Sequence, residues 1–175
     1  VESGSRMDRL IRDVLTYSRV ARVDTQLHPV DLDRLVHEIV AQYPELDPFR
    51  AKITIAEKLP AVMGHEPSLS QVISNLLNNA VKFVPAGRTP EILIRSEVHA
   101  GQVKLWIEDN GIGIKPQYQS RLFGMFERIH PNEKYEGTGI GLAIVRKATE
   151  RMGGKVGVES DGVHGCKFWV QLPAA

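Results

Sequence analysis

Leu105-Trp-Ile-Glu-Asp-Asn-Gly-Ile-Gly-Ile114 reads as a buried strand that stops at a carboxylate, Asp109, and turns at once through Gly111 and Gly113. A carboxylate at a strand end accepts hydrogen bonds at a fixed position. Glycines beside it let backbone and ligand approach with no side chain between them. Asp-Asn-Gly is also ordinary turn chemistry, so the functional reading depends on two further stretches.

The totals narrow the classes. A chain of 175 residues is long enough for one well-cored domain with a short appendage. Hydrophobic residues at 42% and charged residues at 25% are ordinary for a soluble globular chain. Lys+Arg 22 against Asp+Glu 21 leaves +1, so no basic excess points to nucleic acid or an anionic membrane. The single cysteine, Cys166, rules out an internal disulfide and suits a reducing compartment. No apolar run approaches the roughly 20 residues of a membrane span, and no signal-peptide pattern is present. A cytoplasmic location is expected, with membrane anchoring of a parent protein left open. The chain begins with Val inside an expected helix, as a piece of a longer protein would.

Met7, Leu10, Ile11, Val14, Leu15 and Ser18 fall at helical spacing, so a first amphipathic helix is expected to end between 17 and 20. Its apolar stripe needs a partner, either the main domain or a second copy. Residues 21–30 read as a polar linker. Asp31 is a good N-cap for a second helix through Leu32, Leu35, Val36 and Ile39 that ends before Pro44. Strands are expected at 52–56 and 61–63, and a third helix at 68–83 after Pro67. Strands at 92–98 and 103–107 flank a turn at Ala100-Gly101, an antiparallel pair. A helical piece at 116–126, a polar loop at 127–136 and a helix at 140–152 follow, the last closed by Gly153-Gly154. Strands at 155–159 and 166–172 close the chain. Hairpins with helices inserted between them indicate an α+β fold, one mixed sheet covered on one face by helices in a two-layer sandwich.

The third helix carries Asn75, Asn78, Asn79 and Lys82. Asn75, Asn79 and Lys82 stand at i, i+4 and i+7 and share a face. A merely solvated face usually carries Glu, Lys or Arg, which are better helix formers than asparagine. Amide oxygens are hard neutral ligands suited to Mg²⁺, and a neighbouring lysine suits a phosphate.

Gly137-Thr-Gly-Ile-Gly-Leu-Ala-Ile-Val145 leads glycines directly into a helix, whose first N–H groups bind phosphate oxygens. This is not the dinucleotide fingerprint, because Gly141 falls one residue early and no matching strand precedes it. Nor does a Gly-x-x-x-x-Gly-Lys-Ser/Thr loop occur.

In this order the three stretches resemble the ATP-binding domain of sensor histidine kinases, in the family that includes gyrase, mismatch-repair and heat-shock chaperone ATPases. Asn75-Leu-Leu-Asn-Asn-Ala-Val-Lys-Phe83 resembles that family's N box. Asp109-Asn-Gly-Ile-Gly113 resembles its first glycine box, Gly137-Thr-Gly-Ile-Gly141 its second, and Phe123-Gly-Met-Phe126 its F box. Arg6-Met-Asp-Arg-Leu-Ile-Arg-Asp-Val-Leu-Thr-Tyr-Ser-Arg19 is similar to the second helix of the kinases' dimerisation domain.

The resemblance implies a Bergerat-type fold: a partial dimerisation helix at 1–20, a linker at 21–30 and a catalytic domain at 31–175. It implies that ATP and Mg²⁺ bind, with Asp109 accepting from the adenine amino group and Asn79 ligating Mg²⁺, Asn75 assisting. Lys82 and the backbone of Gly139 and Gly141 would face the phosphates. Arg128 and the loop at 130–135 would close as a lid. Phe83, Gly111, Gly113, Ile114, Phe126, Thr138, Ile140 and Leu142 are implied around the nucleotide. The implied partners are the chain's own dimerisation domain, a second copy of the full-length protein and a response regulator receiver domain, with no nucleic acid.

Departures qualify the resemblance. No histidine of the chain matches the kinases' phospho-acceptor; His37 follows Leu-Val, lacks the Arg-Thr-Pro continuation and reads as a surface histidine. Glu136 replaces the usual glycine before the second box. Gly165-Cys-Lys-Phe168 is a degenerate third glycine box, with Cys166 read as an inert strand residue. Trp106 and Trp169 read as sheet packing. Where the family's hydrolases carry a glutamate four residues before the magnesium-ligating asparagine, this chain has Asn75. An amide cannot take a proton from water. Phosphoryl transfer is therefore expected rather than hydrolysis, the alternative being a degenerate nucleotide-binding or docking module.

Overall fold

The computed structural model describes residues 2–22, 26–42, 50–129, 135 and 137–175. Its central sheet joins β2 (Lys52–Ile55), β4 (Glu91–His99), β5 (Gln102–Asp109), β7 (Lys167–Pro173) and β6 (Lys155–Glu159) in that order. β2 runs parallel to β4 and the other pairs are antiparallel, so the sheet is mixed as expected. The β4–β5 hairpin turns at Ala100-Gly101, where the sequence places it.

Alternation along the strands sorts residues between two faces. Ile92, Ile94, Val103, Leu105, Ile107, Phe168, Val170 and Leu172 are buried against the helices. The opposite face carries Trp106 paired across the strands with Trp169, ring centroids 6.5 Å apart, with Lys104 over both rings. The tryptophans are sheet packing, as read.

Two helices position the site. α3 (Glu66–Lys82) buries Leu69, Val72, Ile73, Leu76, Leu77 and Ala80, leaving its asparagine face unburied. α5 (Gly141–Arg151) buries Ala143, Ile144, Val145 and Ala148 and packs beside α3. It ends at Gly153-Gly154, whose N–H groups donate to Glu150 and Thr149 carbonyls. α2 (Leu32–Gln42) covers the far end, capped by Asp31, whose Oδ1 accepts from the Arg34 N–H at 3.1 Å. His37 on α2 is exposed, its Nδ1 2.7 Å from the Asp33 carbonyl oxygen, which fits a surface histidine.

Three expectations change. The linker at 21–30 is not irregular throughout: β1 (His28–Asp31) pairs antiparallel with β3 (Ala61–Gly64) as a separate two-stranded sheet. A four-residue strand containing Pro29 has no legible alternation, and its partner lies some thirty residues away. The helical piece at 116–126 stops early. α4 (Pro116–Gln119) gives way to tight turns, and Phe126 has φ 61°, which no right-handed helix admits. The first helix, α1 (Glu2–Arg22), runs past 20; of the two partners left open for its stripe the domain is not the one used, since Met7, Ile11, Val14 and Leu15 are exposed.

Candidate nucleotide-binding site

A cavity of about 640 Å³ opens between α3, α5 and the end of β5, a size typical of small-molecule sites. Its floor is Asp109. Burial pushes this carboxyl up to about 6, against the lowering effect of two backbone N–H groups, Gly111 at 2.8 Å and Cys166 at 3.1 Å. Both bonds end on Oδ1, which leaves Oδ2 for the cavity that Asp109 lines. Around it stand apolar side chains, Ile112, Ile114, Leu122, Leu142 and Phe168. A lone acid in a slot of this kind suits a flat, mostly apolar ring with one polar edge.

The floor is held by two segments far apart in sequence. Ser160 Oγ accepts from the Ile114 N–H at 2.9 Å and donates to the Gly165 carbonyl at 2.6 Å. Gln119 Nε2 donates to the carbonyls of Ile114 and Ser160 at 3.1 and 2.8 Å. Together these bonds lock the turn after Asp109 to the loop that carries Cys166.

The other end of the cavity is polar. Asn75, Asn78, Asn79 and Lys82 reach it from α3, and Gly137, Thr138, Gly139 and Gly141 from the approach to α5. Among the described residues no side chain caps the start of α5, so its first N–H groups keep their partial positive charge at the cavity edge. Asn75 Nδ2 donates to the Gly141 carbonyl at 3.3 Å, tying the two helices together. Gly139 has φ 74°, and a Cβ there would come within 2.9 Å of the Phe126 carbonyl carbon; only glycine passes. Phe83 meets Tyr135 at 5.3 Å between ring centroids, and Lys82 Nζ lies 4.6 Å above the Phe83 ring. Arg128 donates to the Tyr135 carbonyl at 3.2 Å.

Of the residues expected around a nucleotide, Asn75, Asn79, Lys82, Phe83, Asp109, Gly113, Ile114, Arg128, Thr138, Gly139, Gly141 and Leu142 line this cavity. Three stand back. Gly111 acts through its N–H on Asp109. Ile140 is fully buried in the core beneath the helix start. Phe126 is 58% exposed and is absent from the lining, though its backbone abuts Gly139. Of the lid expected at 130–135, residues 130–134 lie outside the described residues, as does Glu136.

Sequence reading missed Arg9, Asp13, Leu122, Cys166 and Phe168 in the lining. Alternation along β7 could have found Phe168. Cys166 was legible as inert, and burial does push its thiol up to about 12, but not as part of the floor. Arg9 and Asp13 gave no signal, since nothing local says that α1 reaches the cavity.

Such a cavity has the shape and charge to take a nucleotide, and the fold is that of a nucleotide-binding domain. The chain belongs to the histidine kinase-, DNA gyrase B- and HSP90-like ATPase family, whose model matches residues 64–175. It is similar to the phytochrome-like protein Cph1 of Synechocystis sp., 35% identical over 99% of this chain and 23% of that one. The sensor histidine kinase RppB of the same organism is 33% identical, over 97% of this chain and 38% of that one. Full-length ShkA, solved in complex with AMPPNP, superposes with a TM-score of 0.79 at 32% identity, covering 99% of this chain and 37% of that one. The relatives mark this chain as an ATP-binding catalytic domain of the histidine kinase type. It spans under two fifths of each of these three relatives.

Proposed function

We propose that the chain binds Mg-ATP and passes the γ-phosphoryl to a histidine on a dimerisation domain, for relay to a response regulator receiver domain. The observation that carries this reading is Asp109 at the apolar end of a cavity whose other end gathers Asn79, Lys82 and the uncapped start of α5. Asp109 Oδ2 accepts from the adenine amino group. Lys82 and the N–H groups of Gly139 and Gly141 hold the phosphates, and Phe83 with Tyr135 walls the side.

Mg²⁺ fits this donor set. No group of three His, Cys, Asp or Glu that could hold a metal occurs among the described residues. Mg²⁺ on a nucleotide needs only one or two protein oxygens beside phosphate and water. Asn79 supplies one. Asn75 is already engaged with Gln71 and Gly141, at 3.3 Å each, and serves chiefly to hold the start of α5. The ion would neutralise charge on the transferring group.

The chain's own residues favour transfer over hydrolysis. Among the described residues three carboxylates line the cavity: Asp109 is fixed on the floor, Glu127 pairs with Arg121 at 3.1 Å, and Asp13 belongs to α1. None stands on α3 beside Asn79, where Asn75 cannot act as a base. Positioning and charge neutralisation then supply the catalysis.

We place α1 as part of the dimerisation hairpin, with its exposed stripe of Met7, Ile11, Val14 and Leu15 as the face for the companion helices of a homodimer. The catalytic domain then starts at His28, where β1 begins. No helix among the described residues is long and apolar enough to cross a membrane; we assign the domain to the cytoplasm, whatever anchors the parent protein.

The test is phosphotransfer in trans. Mixed with a polypeptide carrying the complete dimerisation hairpin, the chain is expected to place acid-labile label from radioactive ATP on that partner and none on itself. Affinity for ATP weaker than about 1 mM, with no label transferred, would favour the docking module.

A further inference from the structure

α1 has two faces, and the polar one meets the nucleotide cavity. At 100° per residue, Arg9, Asp13, Thr16 and Val20 fall on one side, opposite Met7, Ile11, Val14 and Leu15. That polar side runs along α5. Val20 packs against the core, Tyr17 stands beside Arg146, the Thr138 hydroxyl donates to Asp13 Oδ2, and Arg9 and Asp13 line the cavity. An amphipathic helix that turns its polar face to its own domain is unusual, because burial favours the reverse.

The charges at this end of the cavity give the contact a consequence. Lys82, Arg128 and Arg9 line it with the uncapped start of α5, a set that attracts polyphosphate. Among the described residues Asp109 lies at the floor and Glu127 is paired with Arg121, which leaves Asp13 as the carboxylate brought to the phosphate end. It holds the hydroxyl of Thr138, inside the glycine stretch that leads into α5.

We propose that Asp13 discriminates between nucleotides by their phosphate charge: its contact with Thr138 and the binding of a triphosphate oppose one another. The inference rests on the proposed placement of the phosphates at 137–141. Occupying that end with ATP puts several negative charges close to the Asp13 carboxylate and competes for the Thr138 hydroxyl. By linkage, each event weakens the other to the same extent. ATP therefore loosens α1 from α5, while adenosine, which carries no phosphate, leaves the helix in place. The helix that we assign to the dimerisation hairpin thus reads the phosphorylation state of the bound nucleotide.

The experiment measures dissociation constants of ATP, ADP and adenosine for the full chain and for Asp13→Asn, which keeps the shape and removes the charge. The expected result is ATP binding about tenfold tighter in the variant, a smaller gain for ADP and none for adenosine, the gains shrinking at high salt. A second readout follows hydrogen exchange of α1 amides in the wild-type chain, expected to quicken with ATP and to stay unchanged with adenosine. Equal gains for ATP and adenosine, or exchange in α1 indifferent to ATP, would overturn the proposal. Phosphate-dependent binding that Asp13→Asn leaves unaltered overturns it alone. Wild-type ATP binding no tighter than adenosine would instead overturn the phosphate placement, and this proposal with it.

Discussion

The backbone N–H of Cys166 donates to Oδ1 of Asp109 at 3.1 Å, joining residues 57 positions apart at the floor of the cavity. With the Gly111 N–H on the same oxygen, the carboxylate is held by backbone and cannot swing to follow a ligand. With adenine placed as proposed, a rigid acceptor of this kind would make the site selective for the purine. Asp109→Asn keeps an Oδ1 for both N–H groups and presents an amide to the ring. ATP affinity is expected to fall by about 2 kcal/mol and the preference for ATP over GTP to vanish. Titration of both nucleotides into wild type and variant checks this; similar ATP and GTP binding in the wild type would count against the assignment.

The same burial makes Asp109 a liability to the fold. Its carboxyl titrates near 6 in the folded chain and at 3.8 when unperturbed. Between those values the native state holds more protons than the unfolded one. The native state is therefore favoured below the lower value, and the advantage is lost as pH rises through 6. The penalty at pH 7 approaches about 3 kcal/mol before relaxation. Asp109→Asn is expected to raise Tm at pH 7 by about 3–6 °C and to leave it unchanged at pH 4, measured by thermal unfolding.

Ligand binding runs the other way with pH. The adenine amino group donates best to the ionised carboxylate. ATP affinity is expected to drop by up to about tenfold between pH 7.5 and pH 5, following one proton with a midpoint near 6. A flat profile in the wild type, or the same drop in Asp109→Asn, would remove Asp109 from the adenine site.

Gly165 tests the stitching of the floor. It has φ 83°, and a Cβ there would fall 1.9 Å from the Asp109 carbonyl oxygen. Gly165→Ala therefore forces the two floor segments apart. A loss of about 3 kcal/mol in stability is expected, with weaker ATP binding. Gly87, also at positive φ but with open space around it, is the control, and Gly87→Ala should cost only about 1 kcal/mol by denaturant unfolding.

For the metal, Asn79→Ala is expected to abolish the gain in ATP affinity on adding Mg²⁺ while leaving adenosine binding intact. Asn75→Ala should instead weaken all nucleotides modestly, by releasing the start of α5 from α3. Unchanged metal dependence in Asn79→Ala would show that another group holds the ion. Isothermal titration with and without Mg²⁺ separates these outcomes.

Local chemistry explains which parts were legible in the sequence. Asp109 with its glycines, the asparagine face of α3 and the glycine lead into α5 each state their geometry within a dozen residues. The structure brings the three stretches together. β1 was not legible, because four residues with Pro29 take their conformation from β3, far along the chain. Cys166 was legible as inert but not as part of the floor, since its N–H reaches Asp109 only once β7 lies beside β5. Phe126 was expected around the nucleotide, but the positive φ that fits its backbone against Gly139 leaves the residue largely exposed. The polar face of α1 spoke only of solvent. Its target at Thr138 stands 125 positions away.

A crystal structure of the chain with a non-hydrolysable ATP analogue and Mg²⁺ tests the central claim most directly. The account requires the adenine amino nitrogen within about 3 Å of Asp109 Oδ2, with the phosphates running past Asn79 and Lys82 to the start of α5. A purine bound anywhere else, with Asp109 facing only water, would contradict it.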